Sequence, residues 1–377
     1  MRALFQPDPR PARAPRSHPR LVVTHRRYYA LDGMRGFAAI LVVLHHFGLQ
    51  LDGSIAGSGY LAVDFFFALS GFVIGLAYQD RLDAGLSFRS FMTLRVLRLY
   101  PLVLVGIGFG VVKAIGQIAL GDTTAMGIPT FLLSLVTALA MLPTPAAGLV
   151  SIFPLDTPCW SLFFELCVNV LFALVLYRWG SRRLLLALLI AYAALVPGIM
   201  THGGTVRALG TNWSDFVWGI PRVAFAFLLG LLLHRLSIGR ARATSSLAYV
   251  ATIFLIALLL PHPNDGWARY YDLLVLTVAV PAILWAGIIW EVPVAHRRLF
   301  AWLGDISYPL YILHFPLLMM YIYVAKILHL PPFFVGVSFL AGVLLLSTLV
   351  LRLYDEPVRR RMTLWLRSPS NAVARAL

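Results

Sequence analysis

The chain has 377 residues, 60% of them hydrophobic and only 12% charged, with a mean hydropathy of +0.82. A soluble domain is about a quarter charged, so this composition excludes a conventional soluble enzyme and reads as an all-α, polytopic bundle of transmembrane helices. The net charge of +15 does not indicate a nucleic-acid partner, because the Arg residues sit between apolar runs as topology signals and are not gathered on one polar face.

Residues 1–28 are rich in Arg and Pro and contain no long apolar run. They read as a disordered basic cytoplasmic tail, not as a cleavable signal peptide. A membrane span needs about 20 apolar residues. The candidates are 34–51, 60–78, 99–119, 128–142, 160–178, 184–200, 217–234, 245–261, 272–290, 303–325 and 333–353. The membrane domain is expected over 29–361, and a cytoplasmic tail over 362–377. Basic residues concentrate in the N-terminal tail, at Arg81 to Arg98, at Arg178 to Arg183, at Arg235 to Arg242, at Arg297 and Arg298, and after Arg359. Those links are placed inside by the positive-inside rule. The links on both sides of 128–142 contain no Lys or Arg, so both read as external. That segment is also short and bounded by Pro129, Pro143 and Pro145. It is expected to be re-entrant or interfacial, which leaves ten crossings with both termini cytoplasmic.

Several polar residues fall inside these spans, where ionisable groups are costly and usually face a cavity or a partner. In the first span Asp32 and Arg35 lie at the inner end and His45 and His46 toward the outer end. Arg35 and His46 return to nearly the same helix face, roughly 16 Å apart along the axis. In the second span Asp64 lies near the outer end and Ser70-Gly71 interrupts a bulky run. An Asp64–His46 pair is one expectation; a backbone-bonded Asp64 is the other. Arg95 and Arg98 share a helix face at the inner mouth of the third span, just before Pro101. With Arg35 they could clamp a phosphate, although Arg pairs there are also ordinary topology signals.

Glu165 follows in the span that begins Trp160-Ser161-Leu162, and Arg222 enters the membrane from the outer side. Arg222 could neutralise either Glu165 or Asp64. Tyr308, Tyr311 and His314 lie at three-residue spacing on one face, and Pro309 and Pro316 allow local kinks. The two cysteines, Cys159 and Cys167, would lie about 12 Å apart on one helix and cannot pair. The histidine spacings match no metal motif, so neither a metal site nor a permanently bound cofactor is expected.

These stretches, taken in order, resemble the membrane acyltransferase-3 family. LDGMRGFAAILVVLHH is similar to its first-helix signature of an Arg, ten residues and a His, which selects His46 over His45. AVDFFFALSGFVI resembles the second-helix motif, LRVLRLYP the Arg-x-x-Arg motif, and WSLFFELCVNVLF the Trp-Ser-Leu…Glu motif. In the last of these Leu166 stands where a second acid is usual. LGDISYPLYILHFPL and YDEPVRRRM, with His314 and Glu356, are similar to the closing motifs. The resemblance spans about residues 29–361.

The resemblance implies transfer of an acetyl or succinyl class acyl group from cytoplasmic acyl-CoA. The acceptor would be a hydroxyl of a glycan, a lipid-linked sugar or a small natural product, in the plasma (inner) membrane of a bacterium. Some members of the family carry an appended extracytoplasmic esterase-like domain; none is expected in this chain. On this reading His46 is the base and Asp64 or Glu165 orients it. Arg35, Arg95 and Arg98 bind the donor, with Asp32, Ser70, Arg222, Tyr311 and His314 in support. The rival readings are a proton-coupled transporter or flippase, which would normally show inverted repeats, and a non-catalytic scaffold. The oligomeric state is not specified by the sequence.

Overall fold

The computed structural model describes residues 27–50, 55–146, 148–201 and 204–367. Almost all of the N-terminal tail and the last ten residues of the C-terminal tail lie outside them. The described residues form helices α1 (Tyr29–Gln50), α2 (Ala62–Asp83), α3 (Phe88–Ala119), α4 (Ile128–Leu139), α5 (Cys159–Leu174), α6 (Ser181–Thr201) and α7 (Phe216–Ser237). After these come α8 (Leu247–Leu259), α9 (Asp265–Leu274), α10 (Val280–Ile289), α11 (Arg297–Ile327), α12 (Pro332–Val350) and α13 (Glu356–Arg367). A π-turn at Val275–Ala279 joins α9 to α10, and another at Leu351–Asp355 joins α12 to α13. The tail expected from residue 362 is therefore helical as far as Arg367. Extended structure among the described residues amounts to a two-residue parallel pairing of Ala243–Thr244 with Trp290–Glu291.

Eight of the described helical runs are long and apolar enough to cross a membrane, and α4, α5 and α8 are shorter apolar helices. Several exceed what a bilayer needs. The third is the clearest case. It was expected to start at residue 99, yet α3 begins at Phe88, where the Ser87 hydroxyl caps the free N–H of Ser90, and it runs for 32 residues through Pro101. Arg95 and Arg98 therefore lie within a helix and not on its approach. At 1.5 Å per residue α3 is about 48 Å long, against a hydrocarbon core of about 30 Å.

Two helix pairs organise the bundle. In the first, α1 packs parallel to α11, with Gly33 against Phe300, Gly36 against Leu303 and His46 against His314. A Cβ on Gly36 would fall 2.4 Å from the Leu303 Cβ, so this approach is open only to glycine. In the second, α2 packs parallel to α7, with Asp64 on Arg222 and Gly71 on Phe227. A Cβ on Gly230 would lie 1.7 Å from the Ala68 carbonyl oxygen.

These directions decide the role of α4. Helices α3 and α5 are antiparallel: Gly110 meets Leu155, Gly106 meets Asp156 and Arg95 meets Glu165. Consecutive crossings alternate in direction, so an extra crossing between α3 and α5 would make them parallel. Helix α4 instead turns back along α3, until the Tyr100 hydroxyl donates to the Leu139 carbonyl. The chain then returns, and Lys113 near the far end of α3 donates to the Pro154 carbonyl. With 12 residues α4 is about 18 Å long. The eight long helices together with α5 and α8 would supply the ten expected crossings.

The bundle is pinned by a buried ion pair. Arg222 is 0% exposed and Asp64 1%. Arg222 donates through Nε and Nη2 to the two Asp64 oxygens at 2.9 and 2.8 Å. Its Nη1 donates to the carbonyls of Val206 and Leu209 at 2.6 and 3.1 Å. Its guanidinium also stacks over Trp160 at 5.1 Å. One side chain thus ties α2, α5 and α7 to the loop that precedes α7. The expected Asp64–His46 pair does not form, because Asp64 is committed to Arg222 on both oxygens.

Two predictions follow from this architecture. Single cysteines at residues 122 and 150, in a chain with Cys159 and Cys167 replaced, should be labelled by an impermeant thiol reagent from the same side of the membrane. Labelling from opposite sides would make α4 a crossing. Asp64→Ala or Arg222→Ala should each lower stability by about 3–5 kcal/mol, because the remaining charge is buried without a partner. Asp64→Leu combined with Arg222→Met should recover part of that loss, measured as thermal unfolding in detergent.

Candidate active site

A cavity of about 170 Å³ opens between α1, α2, α3, α5 and α11. Arg35, Ser70, Arg95, Arg98, Ser161, Glu165, Ser307, Tyr308 and Tyr311 supply its polar lining, and Phe66, Phe67, Leu69 and Val73 supply much of its apolar wall. Residues scattered over nearly three hundred positions therefore converge. The local reasons are simple. Ser161 and Glu165 are four apart on α5, and Tyr311 is four from Ser307 and three from Tyr308 on α11, so each set faces the same side of its helix.

One end of the cavity is rich in guanidinium groups, most of them already neutralised. Arg35 donates to the Ser307 hydroxyl at 2.8 Å and to the Gly304 carbonyl, and it lies 3.3 Å from Asp32. Asp32 also holds Arg27, which reaches on to Asp305. Arg95 donates to Glu165 at 2.8 Å, and the Ser70 hydroxyl donates to the same carboxylate oxygen at 3.0 Å. Close by, Arg359 pairs with the fully buried Asp355 at 2.6 Å, in the π-turn and helix after α12. Arg98 differs. It lies over the Tyr308 ring at 5.8 Å, its charged neighbours include Arg35, Arg95, Arg359 and Asp355, and it makes no hydrogen bond or ion pair with any described residue. Each of the other three cations has its own acid, so Arg98 leaves this end of the cavity with one positive charge unmatched.

The other end approaches the histidines. The Tyr311 hydroxyl is 2.8 Å from the Ser161 hydroxyl, which also donates to the Pro158 carbonyl. One turn further along α11 lies His314, fully buried. Its Nδ1 is 2.7 Å from the Tyr311 carbonyl and its Nε2 is 3.2 Å from Nδ1 of His46. The His46 ring is half-buried, lies 5.0 Å from that of His314 at an interplanar angle of 48°, and places Nδ1 3.0 Å from the Val42 carbonyl. His46 is not among the lining residues; it is linked to the cavity through His314, whose ring lies 6.0 Å from that of Tyr311. His45 points elsewhere. Its Nδ1 meets the Ala56 carbonyl at 2.8 Å, and it packs under Gly59, so it anchors the segment between α1 and α2.

The residues singled out from sequence thus separate into three groups. Arg35, Asp32, Ser70, Arg95, Arg98, Glu165 and Tyr311 meet at the cavity. His46 and His314 form a pair at its far end. Asp64 and Arg222 form a staple away from both. Neither Asp64 nor Glu165 touches His46, which corrects the expectation that one of them orients the imidazole. Glu165 belongs with Arg95 because α3 and α5 run antiparallel and overlap deeply, a relation that span boundaries do not reveal. Sequence reasoning did not single out Ser161, Ser307, Asp355 or Arg359. Ser161 and Ser307 each carried a signal, being a helical turn from a polar residue that had been singled out; Asp355 and Arg359 are joined to the site by tertiary packing, of the π-turn against α11 and of α13 against α3.

Comparison with known proteins supplies the family. A family profile described as an acyltransferase domain matches residues 28–352. A Rhizobium radiobacter protein named as protein 2 in the picA locus is 38% identical over 181 residues, 45% of this chain and 92% of that protein. The peptidoglycan O-acetyltransferase OatA of Listeria monocytogenes is 26% identical over 368 residues, 89% of this chain. The match spans 56% of the OatA length, so this chain corresponds to little more than half of that relative. No solved structure matches the chain. With a profile match over nearly its whole length and a helical bundle to fit it, this multi-pass membrane protein belongs to the acyltransferase family.

Proposed function

We propose that the protein transfers an acyl group of the acetyl or succinyl class from cytoplasmic acyl-CoA to a hydroxyl of a glycan, a lipid-linked sugar or a small natural product. The bilayer would be a bacterial plasma membrane, with both chain termini in the cytoplasm. The observation that carries this reading is the charge difference between the two ends of the cavity. A polyanion with a long neutral arm suits a site with the unmatched Arg98 of α3 at the inner end beside Arg35, and an imidazole, His46, about 16 Å beyond Arg35 along α1.

The donor phosphates are assigned to Arg98, whose donors are free, with Arg35 and Arg95 as the surrounding positive field. The cavity is smaller than the 300–1,000 Å³ usual for a whole ligand. It suits the slim pantetheine arm, with the nucleotide left at the inner mouth. At the outer end His46 takes the proton of the acceptor hydroxyl as its oxygen attacks the thioester carbon. The C–S bond breaks, an ester forms, and the proton held by His46 passes to the departing CoA sulfur. The similarity to OatA favours a sugar hydroxyl as acceptor.

Arg98→Ala should weaken acyl-CoA binding by about 10- to 100-fold, the loss of one charged hydrogen-bond partner, with helix content unchanged. Calorimetry with acetyl-CoA in nanodiscs measures it, and an unaltered affinity would remove Arg98 from the donor site. His46→Ala should abolish transfer of label from acetyl-CoA while preserving donor binding. His45→Ala should act through folded yield, because its side chain holds a loop. A His45→Ala protein that folds but is dead, beside an active His46→Ala protein, would overturn the assignment of the base.

A further inference from the structure

We infer that His314 is a positioning residue for His46: it holds the imidazole of His46 in the tautomer whose free lone pair lies on Nε2, and it stabilises the charge that forms there during transfer. The inference rests on the base assignment above. It starts from hydrogen-bond chemistry alone. A main-chain carbonyl only accepts. Nδ1 of His314 lies 2.7 Å from the Tyr311 carbonyl and 3.2 Å from that of Leu310, so this nitrogen carries the proton. In a neutral ring the Nε2 of His314 is then a lone pair.

That lone pair is 3.2 Å from Nδ1 of His46. The other neighbour of the same nitrogen is the Val42 carbonyl at 3.0 Å, which also only accepts. Two acceptors converge on one nitrogen, so His46 carries its proton on Nδ1 and presents Nε2 as the base. The Val42 carbonyl is the i−4 partner of the His46 main-chain N–H in α1 and is shared with it. The Nε2 of His314 has no other partner among the described residues. It is therefore the second acceptor, beside the Val42 carbonyl, that holds the tautomer, and the one that ties the ring orientation to α11.

The arrangement works as a buried acid does in a hydrolase triad, with a neutral imidazole in the place of the carboxylate. When His46 takes the hydroxyl proton it becomes an imidazolium, and its Nδ1–H bond to His314 becomes charge-assisted and stronger. The stabilisation grows in the transition state, so its loss lowers kcat and not donor binding. The proton balance is closed by His46 alone: it receives one proton from the acceptor and returns it to sulfur, and His314 ends as it began. His314 is fully buried and positioned by the tight α1–α11 contact at Gly36, which sets the rings at this separation.

The test uses His314→Leu and His314→Gln in the full chain. A Gln amide oxygen reaches about as far as an imidazole Nε2 and accepts a hydrogen bond; Leu keeps the volume and accepts none. Inverted membrane vesicles are supplied with labelled acetyl-CoA, and label entering envelope material is followed. His314→Leu should lower kcat by about 100-fold with the KM for acetyl-CoA within threefold of wild type. His314→Gln should recover kcat to within about tenfold of wild type. Equal losses in both variants, or an undiminished kcat in His314→Leu, would overturn the inference.

Nitrogen-15 NMR of histidine-labelled protein, with the His46 signal assigned by its loss in His46→Gln, gives a second readout independent of turnover. The expected spectrum has His46 protonated at Nδ1 in wild type and His314→Gln, and a tautomer mixture in His314→Leu. A proton on Nε2 in the wild type would end the inference. An active His46→Ala enzyme would instead remove the base assignment, and the spectra would still decide whether His314 sets the tautomer.

Discussion

A guanidinium held within a helix bundle must find an acceptor, and the architecture of this protein is largely the consequence of that requirement. Arg222 is met on every donor group by Asp64 and two loop carbonyls. Arg95 is met by Glu165 and Arg35 by Asp32, Ser307 and Gly304. Each pairing joins elements distant in the chain, so the helices cannot slide without exposing a charge to an apolar surround, at a cost of several kcal/mol. Against this background Arg98 stands out because no such acceptor meets it among the described residues.

The second constraint is the parallel contact of α1 with α11. It brings two short recognition elements of each helix together at two levels. At one level Gly36 against Leu303 allows Arg35 to reach Gly304 and Ser307. Further along both helices the same pairing brings His46 to His314. Arg35 and His46 are thus held on one helix pair, about 16 Å apart along the α1 axis.

The neighbouring acids have been drawn off into structural work. Asp64 and Glu165 looked like partners for an imidazole, since a carboxylate is the usual companion of a catalytic histidine. Both serve arginines instead. His46 is met by the imidazole of His314, which can accept a hydrogen bond without supplying a counter-charge.

The sequence by itself determined the class of structure and the inventory of polar groups. Long apolar runs can only be satisfied in lipid as helices, and the spacing of Arg, Asp and His residues along each run is a property of the helix, not of its neighbours. His46 was distinguished from His45 by the resemblance of the first helix to a family signature, and the length of α4 and the absence of cations on its flanks set the expectation that it is re-entrant or interfacial. Only the tertiary structure decided which group meets which. Span boundaries missed that α3 begins at Phe88, which places Arg95 within the helix, where it meets Glu165. The Asp64–Arg222 pair was one of several pairings that charge alone allowed. The His46–His314 contact joins residues 268 positions apart, and it depends on a glycine that lets two backbones approach. Pairing of this kind is set by helix direction, rotation and overlap, which a periodic pattern in a single helix does not encode.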